Sequence, residues 1–349
     1  MSHASACILE RFNSSHFIGV FEDMDDIDRK LLMLINENVR MPVREMAGRL
    51  GMSRQAVQKR LGTLRAKGAF KNISACISRN YLGATVVLIF GRSSKEPVWE
   101  ALHRLGESEF TLHAFVAGGN YLYVTGFLRD ISELDGYAEF VRLKAEMPAT
   151  TVGIFSLHAG IMPDRVDGLK KKQSYKELTP LDLRIIASLR GDARRPLEEI
   201  ADITEVSART VDRHLEDMIS DGSLEFDVPW DLIPGMDMIT LIHVKLREGA
   251  DRVEVGRRLY SKRSFDALWV RTFSNLPDHL LCVLSESRTD EIRKVLTEIR
   301  GDQDVLSMMP NHAYFECVFP TWRDRLTEVS SDSSCKPGPV RVSSRLEVQ

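Results

Sequence analysis

Apolar residues recur at helical spacing from Ile27 through Leu31, Leu34 and Ile35, which predicts an amphipathic helix. Pro42 then suits the first turn of a second helix, where its missing N–H is one that a helix start leaves unbonded anyway. That helix turns Met46, Ala47 and Leu50 inward, and "LGMS" follows as a tight turn. Ser53 is placed to cap a third helix, "SRQAVQKRLGTLRAKG", with Val57, Leu61 and Leu64 inward and Gly68 as its stop. Two short helices on a tight turn, the second apolar inside and basic outside, are the helix-turn-helix arrangement, and residues 69–80 would supply its wing.

Beyond the wing the period changes. Thr85–Phe90 is a continuous apolar run that fits a buried strand, followed by a helix at Pro97–Leu105 and a strand at Phe110–Ala117. "GGN" marks a turn before a strand at Leu122–Phe127; a helix from about Ser132 to Lys144 and a strand at Thr150–Leu157 complete the unit. The order βαββαβ is that of a ferredoxin-like domain.

The whole pattern then recurs. Residues 27–68 laid over 181–222 at a constant offset of 154 match without gaps: Asp28 on Asp182, Arg40 on Arg194, Pro42 on Pro196, Glu45 on Glu199, Ala47 on Ala201, Ser53 on Ser207, Val57 on Val211, Leu61 on Leu215 and Gly68 on Gly222. The shared Pro, Ser and Gly set caps and turns rather than faces, so common apolar spacing does not explain them. The second α/β stretch is expected to have strands near Ile239–Leu246, Ala267–Phe273, His279–Leu284 and Ala313–Phe319, with helices near Arg252–Tyr260 and Asp290–Ile299. The fold class is therefore α/β (α+β), two winged helix-turn-helix domains alternating with two ferredoxin-like βαββαβ domains. Boundaries fall at 24–80, 81–163, a basic linker at 164–177, 178–232 and 233–325. Residues 1–23 and 326–349 lack a pattern and are expected to be disordered, and Met24 is a candidate true start.

Composition narrows the function. No run approaches the ~20 apolar residues a bilayer span needs, and five scattered cysteines without a CxxC pair point to reduced thiols in a cytoplasmic protein. The nine histidines, among them His113, His158, His243, His279 and His312, show neither HxH nor HExxH spacing, so no catalytic residue, metal site or cofactor is expected. Trp99 and Trp269 are expected as core anchors.

The segment "DDIDRKLLMLINENVRMPVREMAGRLGMSRQAVQKRLGTLRAKGAF", with Ser53, Val57, Arg60, Leu61, Leu64 and Gly68 at the spacing of a recognition segment, resembles the Lrp/AsnC (feast/famine) family of transcriptional regulators, and "VAGGNYLYVTGF" is similar to that family's β2–β3 turn. The resemblance covers roughly residues 24–322, twice over, though "FSNLPDHLL" replaces the Gly-rich turn in the second copy. It implies sequence-specific binding to double-stranded DNA, homodimers or larger homo-oligomers formed through the α/β domains, and a small-molecule effector such as an amino acid. The expected effector contact is the turn at Gly118, Gly119 and Asn120, where backbone N–H groups can approach a carboxylate; a plain hairpin turn is the other reading. Siroheme decarboxylases also resemble this family and occur as paired or fused halves of this size. They carry an Arg/His-rich strand where this chain reads "TLHAFVAGGNYLYV" and "LWVRTFSNLPDHLL". A tetrapyrrole with eight carboxylates would call for more positive charge there, so an enzyme of that kind stands as the alternative.

The two reading heads are not equivalent. Residues 24–77 hold eleven Lys/Arg and five Asp/Glu, a net of +6, whereas residues 178–231 hold six and thirteen, a net of −7. Phosphate attraction supplies essentially all non-specific DNA affinity, so the first copy is the expected reader. Its candidate DNA contacts are Arg44, Ser53, Arg54, Gln55, Gln58, Lys59, Arg60 and Arg65: Arg54, Gln55 and Gln58 for base edges, Lys59, Arg60 and Arg65 for phosphates. The second copy places Ala208, Arg209, Asp212, Arg213 and His214 on the matching helix and is expected to be structural, which makes one chain a covalent pseudo-dimer.

Overall fold

The computed structural model describes residues 25–67, 73–95, 98–156, 175–227, 239–261, 268–285 and 289–327. The chain forms two compact units, and each unit takes its parts from both sequence copies. One holds the described residues of 85–167 and 235–321; the other holds those of 15–84, 168–234 and 322–349. Residues 1–24 with the candidate start at Met24, the stop at Gly68, His158, most of the linker and 328–349 lie outside the described residues; at the head of the tail expected to be disordered, Leu326 packs against the second head's core and Thr327 is buried.

In the helix-turn-helix unit, α1 (Asp26–Glu37) starts where the Asp25 side chain accepts from the N–H groups of Ile27 and Asp28. α2 (Val43–Leu50) begins just after Pro42 and ends at Gly51, whose φ of 63° a residue without Cβ adopts freely. α3 (Arg54–Ala66) is capped by Ser53, whose Oγ accepts from the Ala56 N–H at 3.2 Å. Leu31, Ile35, Met46, Val57 and Leu64 from the three helices form one buried cluster. The second copy repeats the set with α7 (Pro180–Ser188), α8 (Leu197–Thr204) and α9 (Ala208–Asp221), the last capped by Ser207 and stopped at Gly222. Where α2 ends on Gly51, α8 ends on Glu205 with φ 57°, a left-handed conformation that costs a residue with Cβ about 1 kcal/mol.

The two heads are joined reciprocally. Arg40 donates to the carbonyls of Ala193, at 2.8 Å, and Arg195, while Arg194 donates to those of Val39 and Met41. At the offset of 154 these are the same contact made in both directions, as a twofold interface requires. β1 (Ser74–Ile77) pairs antiparallel with β6 (Leu224–Asp227), Ser74 opposite Asp227 and Ile77 opposite Leu224. The wing expected at 69–80 is thus, in its described part, one strand shared with the other copy, followed by a short helix, α4 (Arg79–Leu82). The cores interpenetrate as well: Ala193 packs into the first head's core, and Ala75, Ile77 and Tyr81 pack into the second's.

Two expected boundaries shift for the same reason. Tyr81 belongs to the helix-turn-helix unit, its ring buried there and its hydroxyl accepting from the Leu178 N–H. The terminal helix α12 (Trp322–Arg325), placed by sequence in the second ferredoxin-like domain, belongs there too. Arg323 in it is 2% exposed and pairs with both Glu225 and Asp227 of β6, so a buried charge finds its counter-charges on the wing.

The other unit contains β2 (Thr85–Arg92), α5 (Val98–Leu105), β3 (Thr111–Ala117), β4 (Tyr121–Leu128), α6 (Leu134–Lys144) and β5 (Thr150–Ile154), then β7 (Ile239–Leu246), α10 (Arg252–Ser261), β8 (Leu268–Thr272), β9 (His279–Ser285), α11 (Thr289–Arg300) and β10 (Val305–Val318). Each half is ferredoxin-like. The eight strands run β5-β2-β4-β3-β10-β7-β9-β8, so β3 of the first half pairs with β10 of the second. β10 is longer than the expected Ala313–Phe319 because its first half pairs with β7 and its last part with β3. The free ends of this order meet through an antiparallel bridge between Phe155 and Phe273. Asn275 staples them, accepting from the Ile154 N–H and donating to the Val152 carbonyl, both at 2.8 Å. Gly153 lets the Phe273 ring lie flat on the backbone: a Cβ there would stand 2.3 Å from it. The "FSNLPD" departure from the Gly-rich turn is therefore what closes this seam.

The reciprocal arginines yield a stability prediction. Each donates charged hydrogen bonds to buried carbonyls, and such bonds contribute about 1.5–3 kcal/mol. Arg40→Ala and Arg194→Ala are each expected to destabilise the chain by about that much. The double variant should cost less than their sum, because the contacts share one joint. Denaturant unfolding of the three variants checks this.

Candidate nucleic-acid interface

α3 presents the expected reading face. Ser53, Arg54, Gln55, Gln58 and Lys59 are exposed on it, and Arg44 is exposed on α2. Helical spacing explains the split, since Val57, Leu61 and Leu64 are buried on the opposite side of the same helix. Arg54 and Gln55 occupy its first turn, the part of a recognition helix that meets base edges, and that turn carries no acidic residue. Arg44, Arg54 and Lys59 form no ion pair among the described residues, so their charge is available to a polyanion. Ser53 is committed to the cap, which leaves its own N–H and a shared hydroxyl for a phosphate.

Two of the expected phosphate contacts are engaged elsewhere. Arg60 bridges Asp25 and Asp28, each at 2.8 Å, tying α3 back to the start of α1. The acids hold its charge in place between α3 and the start of α1. Its counterpart in the second copy keeps the tie with a histidine: His214 Nδ1 lies 2.6 Å from the carboxylate of Asp182. Arg65 pairs with Asp192 of the second head and so serves the joint. Sequence spacing alone marks both positions as basic; only the fold shows the acids that face them.

The second head offers a different surface. On α8 and α9 the exposed residues include Glu198, Glu199, Asp202, Asp212, Glu216 and Asp217, with Arg209 and Arg213 as the cations beside them. Glu198 stands where the first copy has Arg44, Asp212 where it has Gln58, and Glu216 where it has Gly62.

Three further clusters bring polar groups together among the described residues. At Gly118–Asn120, Gly119 and Asn120 are left-handed, with φ of 69° and 58°, and form a tight hairpin turn. The Gly118 N–H already donates to the His312 carbonyl at 3.1 Å, so of the three expected effector contacts this one is occupied within the sheet. The thiol of Cys76 and the carboxylates of Glu225 and Asp227 lie within 4.8 Å of one another, a donor set that spacing did not reveal. Arg323 supplies the positive charge there, engaging both acids, where a metal ion would have to displace it.

The third cluster lies among the strands. Asn311 donates to the Tyr123 hydroxyl at 3.4 Å, which lies 2.8 Å from His243 Nε2, and His243 Nδ1 lies 3.0 Å from His279 Nε2. Phe90 packs 4.8 Å from the His243 ring. Burial pushes His243 down to about 4, helped by neighbouring His279, and burial alone pushes His113 to about 4. Both rings are neutral at pH 7, when each nitrogen must be either donor or acceptor; the sequence showed these histidines only as isolated strand positions.

Comparison with known proteins places these features. The AsnC-type helix-turn-helix domain family matches residues 24–65, and a winged helix-turn-helix DNA-binding family matches residues 178–224. The HTH-type transcriptional regulator Ptr1 of Methanocaldococcus jannaschii is 34% identical over 113 residues, 32% of this chain and 76% of its own length. The HTH-type transcriptional regulator LrpA of Pyrococcus horikoshii is 30% identical over 100 residues, 28% of this chain and 71% of its own length. These relatives match about one of the two copies. Among solved structures, the siroheme decarboxylase NirDL superposes with a TM-score of 0.55 at 16% identity, covering 86% of this chain and 97% of NirDL. At that identity the likeness shows a shared two-copy fold.

The buried histidines predict a pH dependence. An unfolded histidine titrates near 6.5, so the folded state resists protonation that the unfolded chain accepts. Stability from these rings is full above about pH 6.5 and is lost as the pH falls toward 4. Between pH 7 and 5 each ring should cost about 2 kcal/mol. His243→Gln is expected to flatten that part of the stability curve, measured by denaturant unfolding at each pH.

Proposed function

The chain belongs to the Lrp/AsnC family of helix-turn-helix regulators, and on that premise we propose that it is a sequence-specific DNA-binding transcriptional regulator that reads double-stranded DNA through its first head alone. The observation that carries this reading is the exposed set Arg44, Arg54, Gln55, Gln58 and Lys59, free of acidic partners among the described residues, set against acids at the matching positions of the second head. Arg and Gln can pair with guanine and adenine edges in the major groove, and Arg44 and Lys59 sit where they can hold phosphates. Arg60 and Arg65 support the head from within.

One chain then brings one competent head to DNA, and a palindromic operator would recruit two chains. A small molecule such as an amino acid is the proposed modulator, its expected contact the turn at Gly118, Gly119 and Asn120, where the Gly118 N–H is already bonded within the sheet. A thermal shift with an amino acid that is abolished by a change at this turn supports that contact; no shift across a panel of amino acids removes it.

The alternative, a siroheme decarboxylase-like enzyme, has the NirDL fold and the His243–His279 cluster in its favour. The exposed basic head is left without a role on that reading. Adding siroheme to the purified chain is expected to give neither a Soret shift nor turnover; either one would reverse the preference.

The DNA assignment is tested by paired reversals. Arg54→Glu with Lys59→Glu should abolish specific retention of DNA, whereas Arg209→Glu with Arg213→Glu should leave it within about twofold. Neutralising Arg44 and Lys59 singly should each reduce the slope of log affinity against log salt by about 1. Loss of binding through the second pair alone would refute the assignment.

A further inference from the structure

The outer face of the second head is more than a reading face that lost its charge. Buried positions keep their type at the offset of 154: Val57 answers to Val211, Leu61 to Leu215, Leu64 to Met218. Several exposed positions do not. Arg49 answers to Ile203 and Arg65 to Ile219, and these isoleucines are 53% and 45% exposed on α8 and α9. They stand on the same two helices as Glu198, Asp212 and Glu216. Large apolar side chains rimmed by acids fit a surface that another protein covers.

The matching surface is on the first head. It carries exposed Arg44, Arg54 and Lys59, and α3 also exposes Gly62 and Ala66, with open space where a Cβ of Gly62 would stand. Small residues among cations can receive an isoleucine, and the cations can meet the acids around it. We propose that the acidic face of the second head docks the basic reading face of a second copy of this chain, so that self-association and DNA compete for the same helix. The reciprocal joint presents both heads in one unit, so a twofold pair of chains would make the contact twice and close without forming a filament. Complementary charge of this kind speeds encounter and weakens with salt. The inference rests on the unequal heads proposed above and assigns the second one a task.

Sedimentation equilibrium of the full chain tests it, at about 50 mM and 500 mM salt, with and without a short duplex that the chain binds. At low salt the weight-average mass of free protein should be about twice its high-salt value, and the duplex should abolish the excess. Glu198→Lys with Glu216→Lys should remove the salt-dependent association while DNA affinity stays within about twofold, which separates this surface from the reading face. Mixing that variant with an Arg44→Glu, Lys59→Glu chain should restore association between the two, since opposite charges face each other again. A mass unaffected by salt, or association that persists in the Glu198→Lys, Glu216→Lys variant, would overturn the proposal.

Discussion

The exchange of hydrogen bonds between Arg40 and Arg194 is the constraint on which the helix-turn-helix unit depends, because each arginine satisfies carbonyls beside the other. A contact made once by each of two equivalent surfaces is the mark of a twofold dimer, yet here both surfaces lie on one chain. β1 and β6 repeat the relation in a strand pair, and β3 with β10, together with the Phe155–Phe273 bridge, repeat it among the eight strands. Duplication has thus converted an interface between subunits into the interior of a chain. The covalent link removes the concentration dependence that such a joint would otherwise carry.

That conversion frees the two heads to differ. In a homodimer any change on one reading helix appears on both. In this chain the first head can keep Arg54 and Lys59 exposed while the second gains Asp212 and Glu216, with the shared core unaffected. The ties inside each head diverged under the same freedom: Asp28 holds Arg60, and Asp182 holds His214. Geometry was retained while charge was not. The fold likeness to NirDL shows that the same two-copy architecture is found in an enzyme, so the chemistry here has to be read from surfaces and clusters and not from topology.

Much of this was legible in the residues. Caps at Ser53 and Ser207, the stop at Gly222 and the apolar spacing of Val57, Leu61 and Leu64 depend on neighbours a few positions away, and each element formed close to where those signals lie. The exposed face of α3 was readable for the same reason. What the chain did not disclose were contacts between elements well separated in sequence: Arg65 with Asp192, Arg323 with Glu225, the wing strand pairing with the other copy, and the His243–His279 chain. A basic residue looks the same in sequence whether it faces solvent or a distant acid. Arg60 is tied for a subtler reason, because its partners Asp25 and Asp28 stand at the start of α1, about thirty residues back and two helices away.

The central claim is that one chain carries one DNA-reading head. Native mass spectrometry of the full chain with excess of a short duplex containing a single bound site counts heads directly. One duplex per chain is the predicted result, and two duplexes per chain would contradict it.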